Sequence, residues 1–306
     1  MDVRVELTSA VFEATRARLL ARFGADVEEW WAQLPAALPE LAGRWGLVVG
    51  EPVGRGNTSL VIRCRIDDGR AAMLKLTPDA GLASTEALAL RSWEASGHVP
   101  RVWGCDGDLG ALLLEAIPSE TPVSEQRTKI GMSQVADLIT ALHQSGDPVV
   151  GGGVVPLADR VAFVFEHWSE RYGRNSQVAR VVPVERLERG HELSRELAAD
   201  MGASVLLHGD MHPSNVLDGG PDRGLVAIDP RPCVGDPAVD AVDWVFWAAD
   251  DRRGWESRGA DLARRLGVDP ERVWGWCMAF AAMHAASEVA GGGRRDRVEA
   301  LLTLAP

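Results

Sequence analysis

Leu206-Leu207-His208-Gly209-Asp210-Met211-His212-Pro213-Ser214-Asn215-Val216-Leu217 is the most informative stretch of this 306-residue chain. Apolar pairs at both ends pin a dense polar centre, which holds Asp210 and Asn215 in fixed positions. Fourteen residues beyond Asn215, Asp229 closes Leu225-Val226-Ala227-Ile228, an apolar run that reads as a buried strand. A carboxylate at a strand end, near a carboxylate and an amide on a loop, suits a divalent metal. Mg²⁺ favours such oxygen donors together with phosphates and water.

His208-Gly209-Asp210, with Asn215 five residues after the aspartate, matches the spacing H-x-D-x-x-x-x-N of a phosphoryl-transfer loop. That chemistry needs one residue to orient and deprotonate an acceptor hydroxyl, and metal ions to neutralise phosphate charge. Asp210 fits the first role; Asn215 and Asp229 fit the second. Two other readings stand beside this one. The segment can be an Asx-rich turn with helix caps. Alternatively, His208, Asp210 and His212 alternate as zinc-hydrolase ligands would, although His98, His143, His167, His191 and His284 are scattered and supply no second cluster.

Upstream, Gly54, Gly56, Asn57, Thr58 and Ser59 lie in a connection between two strand-like runs, where glycines let backbone N–H groups approach phosphates. Ser59 stands where a third glycine would complete G-x-G-x-x-G, so a tight hairpin explains the segment equally well. Lys75 sits in Ala72-Met73-Leu74-Lys75-Leu76. A lysine flanked by apolar residues either snorkels or meets an anion; as an edge-strand lysine it would deter aggregation. Glu86, in the next helix, is placed to hold Lys75 toward phosphates. Backbone groups of Glu115 and Ile117, at the end of the last strand, can take the edge of an adenine.

Helical spacing runs from Thr8 to Phe23, then again after Asp26, with Leu38 to Trp45 as a third short helix. Strands are expected at 45–53, 60–66, 71–77, 99–103 and 111–115, with a helix at 84–95 inserted. Beyond Pro118 the pattern is mainly helical: 124–144, 157–172, 185–201, 237–249, 259–266, 270–290 and 294–304. The expected architecture is α+β. A small five-stranded, mostly antiparallel sheet with extra N-terminal helices (1–116) precedes a larger helical part (117–306), with a small-molecule cleft between them.

Composition narrows the functions. The chain carries 46% apolar and 25% charged residues, as globular proteins do. Its formal charge of -12 disfavours nucleic acid, whose affinity comes largely from phosphate neutralisation. There is no secretory leader pattern at Asp2, Arg4 and Glu6, and no apolar run of membrane-spanning length. Cys64, Cys105, Cys233 and Cys277 form no C-x-x-C pair and read as reduced thiols of a cytoplasmic protein. Of the 32 basic residues only Lys75 and Lys129 are lysine, so Lys75 stands out; Lys129 reads as an exposed helix residue.

Taken together, His208 to Leu217, Ala227-Ile228-Asp229-Pro230 and Gly235-Asp236-Pro237-Ala238-Val239-Asp240 resemble the aminoglycoside phosphotransferases, which have a protein-kinase-like bilobal fold. Glu29-Trp30 through Leu34-Pro35 to Arg44-Trp45 looks like the streptomycin 6-phosphotransferase and hydroxyurea-resistance kinase branch. The resemblance covers nearly the whole chain. It implies phosphorylation of a small-molecule hydroxyl with ATP and Mg²⁺, Asp210 as catalytic base, and Asn215 and Asp229 as metal ligands. It implies structural roles for Asp236 and Asp240, whose carboxylates are expected to hold the catalytic loop by hydrogen bonds. The acceptor is expected to be a streptomycin-like aminoglycoside, or an amino sugar or other polyol of metabolism. A non-catalytic nucleotide-binding module is disfavoured by intact Lys75, Asp210, Asn215 and Asp229. Acceptor contacts are expected from Asp243, Trp244, Trp247, Asp250, His284 and Glu288, where carboxylates and indoles suit an amine-bearing sugar. Pro230 replaces the Phe of a mobile Asp-Phe-Gly switch, and no activation segment is evident, so no protein substrate is expected.

Overall fold

The computed structural model describes residues 7, 9–54, 56, 58–126, 130–149, 151–200 and 202–306. Two helices come first, α1 (Ala10–Phe23) and α2 (Val27–Trp45). The second and third expected helices are one: α2 runs through Pro35 and Pro39. Each proline removes a helical donor, but Val27, Trp31, Leu34, Leu38 and Leu41 form one buried stripe, and that burial holds the helix continuous.

β1 (Leu47–Val53), β2 (Leu60–Ile66), β3 (Ala71–Leu76), β4 (Val102–Asp106) and β5 (Ala111–Glu115) form an antiparallel sheet in the order β1-β2-β3-β5-β4. β4 starts three residues later than expected. Pro100, just before it, has no N–H for a ladder. α3 (Ala80–Trp93) is inserted between β3 and β4. It starts four residues before the expected Ser84, because the Asp79 carboxylate accepts from Leu82 N–H at 3.1 Å and caps it there.

Alternation along the strands divides the sheet's residues between two cores. Leu60, Ile62, Cys64, Ala72, Leu74, Leu76, Ala111 and Leu113 pack with α1 and α2. Leu112 and Leu114, on the other face, join α3 and the helical part in one continuous core. Lys75 lies between Val61 and Leu112 on β3, the central strand, so it is not an edge lysine.

The helical part holds α4 (Met132–Ser145), α5 (Leu157–Arg174), α6 (Ser176–Val181), α7 (Val184–Ala199), α8 (Val242–Phe246), α9 (Arg252–Leu266), α10 (Pro270–Ala290) and α11 (Arg295–Leu304). The helix expected at 124–144 starts at Met132, where the Gln134 side chain accepts from Gly131 N–H at 3.0 Å. α9 begins seven residues early on an Asp251 cap. The helix expected at 237–249 shrinks to a turn and α8, and Ala248 beyond it has φ 54°. α10 is buried nearly all round, with Trp276, Cys277, Ala281, Ala282, Ala285 and Ala286 fully enclosed.

Short strands position the loops. β10 (Cys233–Gly235) pairs with β6 (Val155–Pro156) and β7 (Val205–Leu207), and β8 (Val216–Asp218) pairs with β9 (Leu225–Ala227). The cysteines are free thiols; Cys64, Cys233 and Cys277 are buried. Among the described residues no helix is long and apolar enough to cross a membrane.

Candidate active site

The ends of β7, β8, β9 and β10 surround the loop that carries Asp210. Asp240 holds this loop by its backbone. Its buried carboxylate accepts from His208 N–H at 2.9 Å, Gly209 N–H at 3.0 Å and His143 Nε2 at 3.0 Å. Burial alone would push this carboxyl up, but the bonds from His143 and His208 outweigh it and hold it below its ordinary value. Gly209 turns with φ 70°, and a Cβ there would overlap the Arg231 carbonyl oxygen. Arg231 N–H donates to the His208 carbonyl at 2.8 Å, so the two loops are stitched together.

Asp210 emerges half-buried from this clamp. Asn215 Nδ2 donates to the Asp210 carboxylate and to its carbonyl, both at 3.0 Å. Those bonds use the amide nitrogen and leave the Asn215 side-chain oxygen for a cation. Ile228 N–H donates to the Asn215 carbonyl at 2.8 Å, which fixes Asp229 beside it. Asp229 has φ 56°, a left-handed conformation costly for a non-glycine residue and frequent at functional sites.

Lys75, on β3, reaches this centre. Its Nζ donates to Glu86 Oε2 and to Asp229 Oδ1, each at 2.6 Å. Lys75 and Glu86 are almost completely buried, whereas the Asp229 side chain is 36% exposed. Burial would lower the Lys75 ammonium, but the two carboxylates outweigh it and raise it, so it stays charged. Glu86 is pushed up by burial, and its Oε1 has no partner. Burial also acts upward on Asp229, yet the Lys75 charge and hydrogen bond hold that carboxyl below its usual range.

The other residues expected to meet a nucleotide lie in the β1–β2 connection and at the end of β5. Gly54, Gly56, Thr58 and Ser59 form the β1–β2 connection, and Gly56 has φ 107°. Asn57 lies outside the described residues, as does Lys129. Thr58 and Ser59 are buried, and Thr58 Oγ1 accepts from the Arg231 guanidinium at 2.6 Å. Glu115 N–H donates to the Arg101 carbonyl at 2.9 Å, and its carboxylate is held by Arg223 at 2.9 Å. The Ile117 side chain is buried against Leu217 and Val226.

His208, Asp210 and His212 do not converge as zinc ligands. His208 is fully buried with Nε2 on the Ile228 carbonyl at 3.0 Å, and His212 Nδ1 bonds Ser214 at 2.9 Å. Among the described residues no group of three His, Cys, Asp or Glu side chains is placed to hold a metal. The oxygen pair of Asn215 and Asp229 instead fits Mg²⁺, which uses one or two protein oxygens and fills its other positions with water and phosphate.

The expected acceptor residues divide. Asp243 faces His284 Nε2 at 3.5 Å, and Trp247, half-buried, meets Trp244 edge-on at 5.3 Å. Trp244 is fully buried and has no ring face to offer a ligand. Glu288 is paired with Arg297 at 2.7 Å, and Asp250 with Arg294 at 2.8 Å and Arg297 at 3.4 Å. Asp236 anchors α10, accepting from Trp276 Nε1 at 2.8 Å and Arg272 Nε at 2.7 Å, rather than holding the Asp210 loop. Sequence reasoning missed Arg231, Arg160 and His143. Arg231 lies two residues after Asp229, which was its one visible signal; Arg160 donates to the Gly209 carbonyl at 3.2 Å from α5.

The chain is similar over most of its length to known phosphotransferases. The chain is 32% identical over 276 residues to a hydroxyurea phosphotransferase of Kitasatospora aureofaciens, covering 88% of this chain and 77% of that one. It is 29% identical over 286 residues to a streptomycin 6-kinase of Streptomyces glaucescens, covering 88% of each. Among solved structures, a macrolide 2'-phosphotransferase type I shares the fold with a TM-score of 0.54 at 18% identity, over 89% of this chain and 96% of that one. Residues 44–292 match the aminoglycoside/hydroxyurea antibiotic resistance kinases, and the chain belongs to that family.

Proposed function

We propose that the protein transfers the γ-phosphate of ATP, with Mg²⁺, to a hydroxyl of a small molecule, most simply a streptomycin-like aminoglycoside. The observation that carries this is the Lys75 ammonium held between Glu86 and Asp229, which spans the cleft and ends beside the Asp210 loop. Residues 1–116 bind the nucleotide: Gly54, Gly56, Thr58 and Ser59 face the phosphates, Lys75 meets them, and Glu115 and Ile117 offer backbone groups to the base. Residues 117–306 supply the chemistry and the acceptor site.

Asn215 orients the Asp210 carboxylate, whose other oxygen takes the proton of the acceptor hydroxyl. The acceptor oxygen bonds to the γ-phosphorus as the bridging oxygen leaves with ADP. Bound at Asn215 and Asp229, Mg²⁺ would neutralise phosphate charge. Asp243, Trp247 and His284 line the acceptor side. A second reading, a metabolic kinase for an amino sugar or other small polyol, draws support from Glu288 and Asp250, whose charges are already taken by arginines. Both readings are tested by incubating the protein with ATP, Mg²⁺ and a panel of aminoglycosides, amino sugars and polyols, and following phosphate esters by ³¹P NMR. Protection of a sensitive host from streptomycin separates them. No ester from any acceptor would remove both.

A further inference from the structure

Asp229 is followed by Pro230 and Arg231, and the main chain of this arginine is fixed. Its N–H donates to the His208 carbonyl at 2.8 Å, and its own carbonyl lies so close to Gly209 that a Cβ there would overlap the oxygen. From that anchor, two residues past Asp229, the guanidinium Nη2 donates to Thr58 Oγ1 at 2.6 Å. A side chain of residues 117–306 therefore grips the β1–β2 connection. The other end of this connection is held by α1. Arg18 Nε donates to the Gly56 carbonyl at 3.2 Å, and Arg18 Nη2 donates to Thr15 Oγ1 at 2.9 Å. The Val11 side chain stands 3.8 Å from where a Cβ on Gly54 would be.

Thr58 uses little of what Arg231 can do. A guanidinium carries five N–H donors and matches a phosphate through two parallel bonds. Among the described residues the Thr58 hydroxyl is the one partner its side chain bonds, and that acceptor is neutral. A phosphate oxygen carries the charge that a hydroxyl lacks. Glu86 and Asp229 do not bond the Arg231 side chain, but its charge acts to lower both carboxyls and the Lys75 ammonium, so it shares their field. Arg231 thus joins the two places where phosphate is expected: the β1–β2 connection at Thr58, and the segment that carries Asp229 with Lys75 on it.

We propose that Arg231 contacts the β- and γ-phosphates of the bound nucleotide, leaving the Thr58 hydroxyl for phosphate oxygens when ATP enters. The proposal rests on the kinase reading above. In the free protein the Arg231–Thr58 bond ties the β1–β2 connection to the Asp229 segment. With nucleotide bound, the same guanidinium ties the phosphates to that segment. The position two residues after Asp229 selects the β- and γ-phosphates over the α-phosphate, because the metal ions of phosphoryl transfer bridge the β- and γ-oxygens.

The test is R231Q, R231K, T58V and the double variant R231Q/T58V, with isothermal titration of AMP, ADP and the non-hydrolysable ATP analogue AMP-PNP in Mg²⁺, and melting curves of the free proteins. R231Q is expected to weaken ADP and AMP-PNP by about 10- to 100-fold, the weight of one charge-assisted hydrogen bond, and to keep AMP within about threefold of wild type. R231K keeps the charge without the paired donors and should lose less, in the same order. T58V should weaken ADP and AMP-PNP less than R231Q does. The double variant should melt no lower than the worse single variant, because both substitutions remove one bond; additive shifts would refute that bond and the proposal with it. If R231Q weakens AMP, ADP and AMP-PNP alike, or weakens them no more than T58V, Arg231 only braces the connection and the proposal is overturned. Wild-type AMP-PNP affinity in R231Q would overturn it too and leave the kinase reading intact. Should R231Q fail to fold, the same comparison in R231K decides. A wild type that binds none of the three nucleotides would remove both.

Discussion

Lys75→Arg conserves charge and should still impair the enzyme. Lys75 Nζ has two acceptors at 2.6 Å on opposite sides, Glu86 and Asp229, and its side chain is only 5% exposed. A compact ammonium can sit between two carboxylates; a planar guanidinium presents a fixed fork and needs more room. Fitting it against Val61 and Leu112 costs about 1–3 kcal/mol of overpacking. Losing one of the two charge-assisted bonds costs about 1.5–3 kcal/mol. The packing cost falls on stability and the lost bond on activity, so with tenfold in rate for each ~1.4 kcal/mol, kcat/KM for ATP should fall roughly 10- to 100-fold. A coupled assay of ADP release against ATP concentration, at saturating acceptor, measures it, with a melting curve as the check on folding. Lys75→Met is the contrast. It leaves Glu86 buried with neither oxygen partnered and should destabilise the protein by about 3–5 kcal/mol. If Lys75→Arg keeps kcat/KM within about threefold of wild type, less than 1 kcal/mol, the reasoning fails and the lysine is an accident of codon usage.

Asp210→Ala should abolish turnover, a loss of at least about 10²- to 10⁴-fold, while AMP-PNP still binds, because the residue handles the proton rather than the nucleotide. Gly209→Ala puts a side chain at φ 70° and against the Arg231 carbonyl; it should cost about 1–2 kcal/mol in backbone strain alone, and lower kcat as the loop moves, both seen in paired melting and kinetic measurements. Asp240→Asn replaces an acceptor-only carboxylate with an amide that can accept through one atom, so an N–H of His208 or Gly209 loses its partner, at about 1–3 kcal/mol by urea denaturation. The folded-state value of Asp240 is depressed, so its contribution is complete above the unfolded value of about 3.9 and is lost as pH falls through the lower folded value. The variant should therefore show a flatter acid limb of stability than wild type.

What was legible in the sequence was local. Asp210 and Asn215 share one loop, and Asp229 follows within one hairpin, so their spacing already limits how far apart they can lie. Lys75 and Glu86 are separated by one strand end and part of one helix. What stayed hidden depends on packing between distant segments. In a chain with 30 arginines and two lysines, the identity of Arg160 or Arg231 gives no contrast, and only the packing of α5 on Gly209 and of the β1–β2 connection on Arg231 selects them. The Asp240 clamp spans 32 residues from its partners. Helix ends were misplaced where one polar cap decided them, as with Asp79 and Asp251, and α2 was split at prolines that a buried stripe overrides.

The net charge of -12 describes the molecule poorly at the place where chemistry is proposed. Surface charges are screened within about 8 Å at physiological ionic strength, so a ligand in the cleft feels its near neighbours and not the total. Those neighbours are sorted. On the side proposed for the nucleotide stand Lys75, with its partners Glu86 and Asp229, and Arg231 and Arg160; on the side proposed for the acceptor stand Asp243 and His284. Phosphate needs the first set and an amine-bearing acceptor needs the second. One uniform field could not serve both, because the charge that attracts the triphosphate repels a cationic acceptor. Separating the two sets across the Asp210 loop resolves the conflict. The arginines on Glu288 and Asp250 limit how much positive charge the acceptor side can still reward. On the proposed kinase reading, a positively charged acceptor would find Asp243, beside His284, as the carboxylate there that no arginine holds among the described residues.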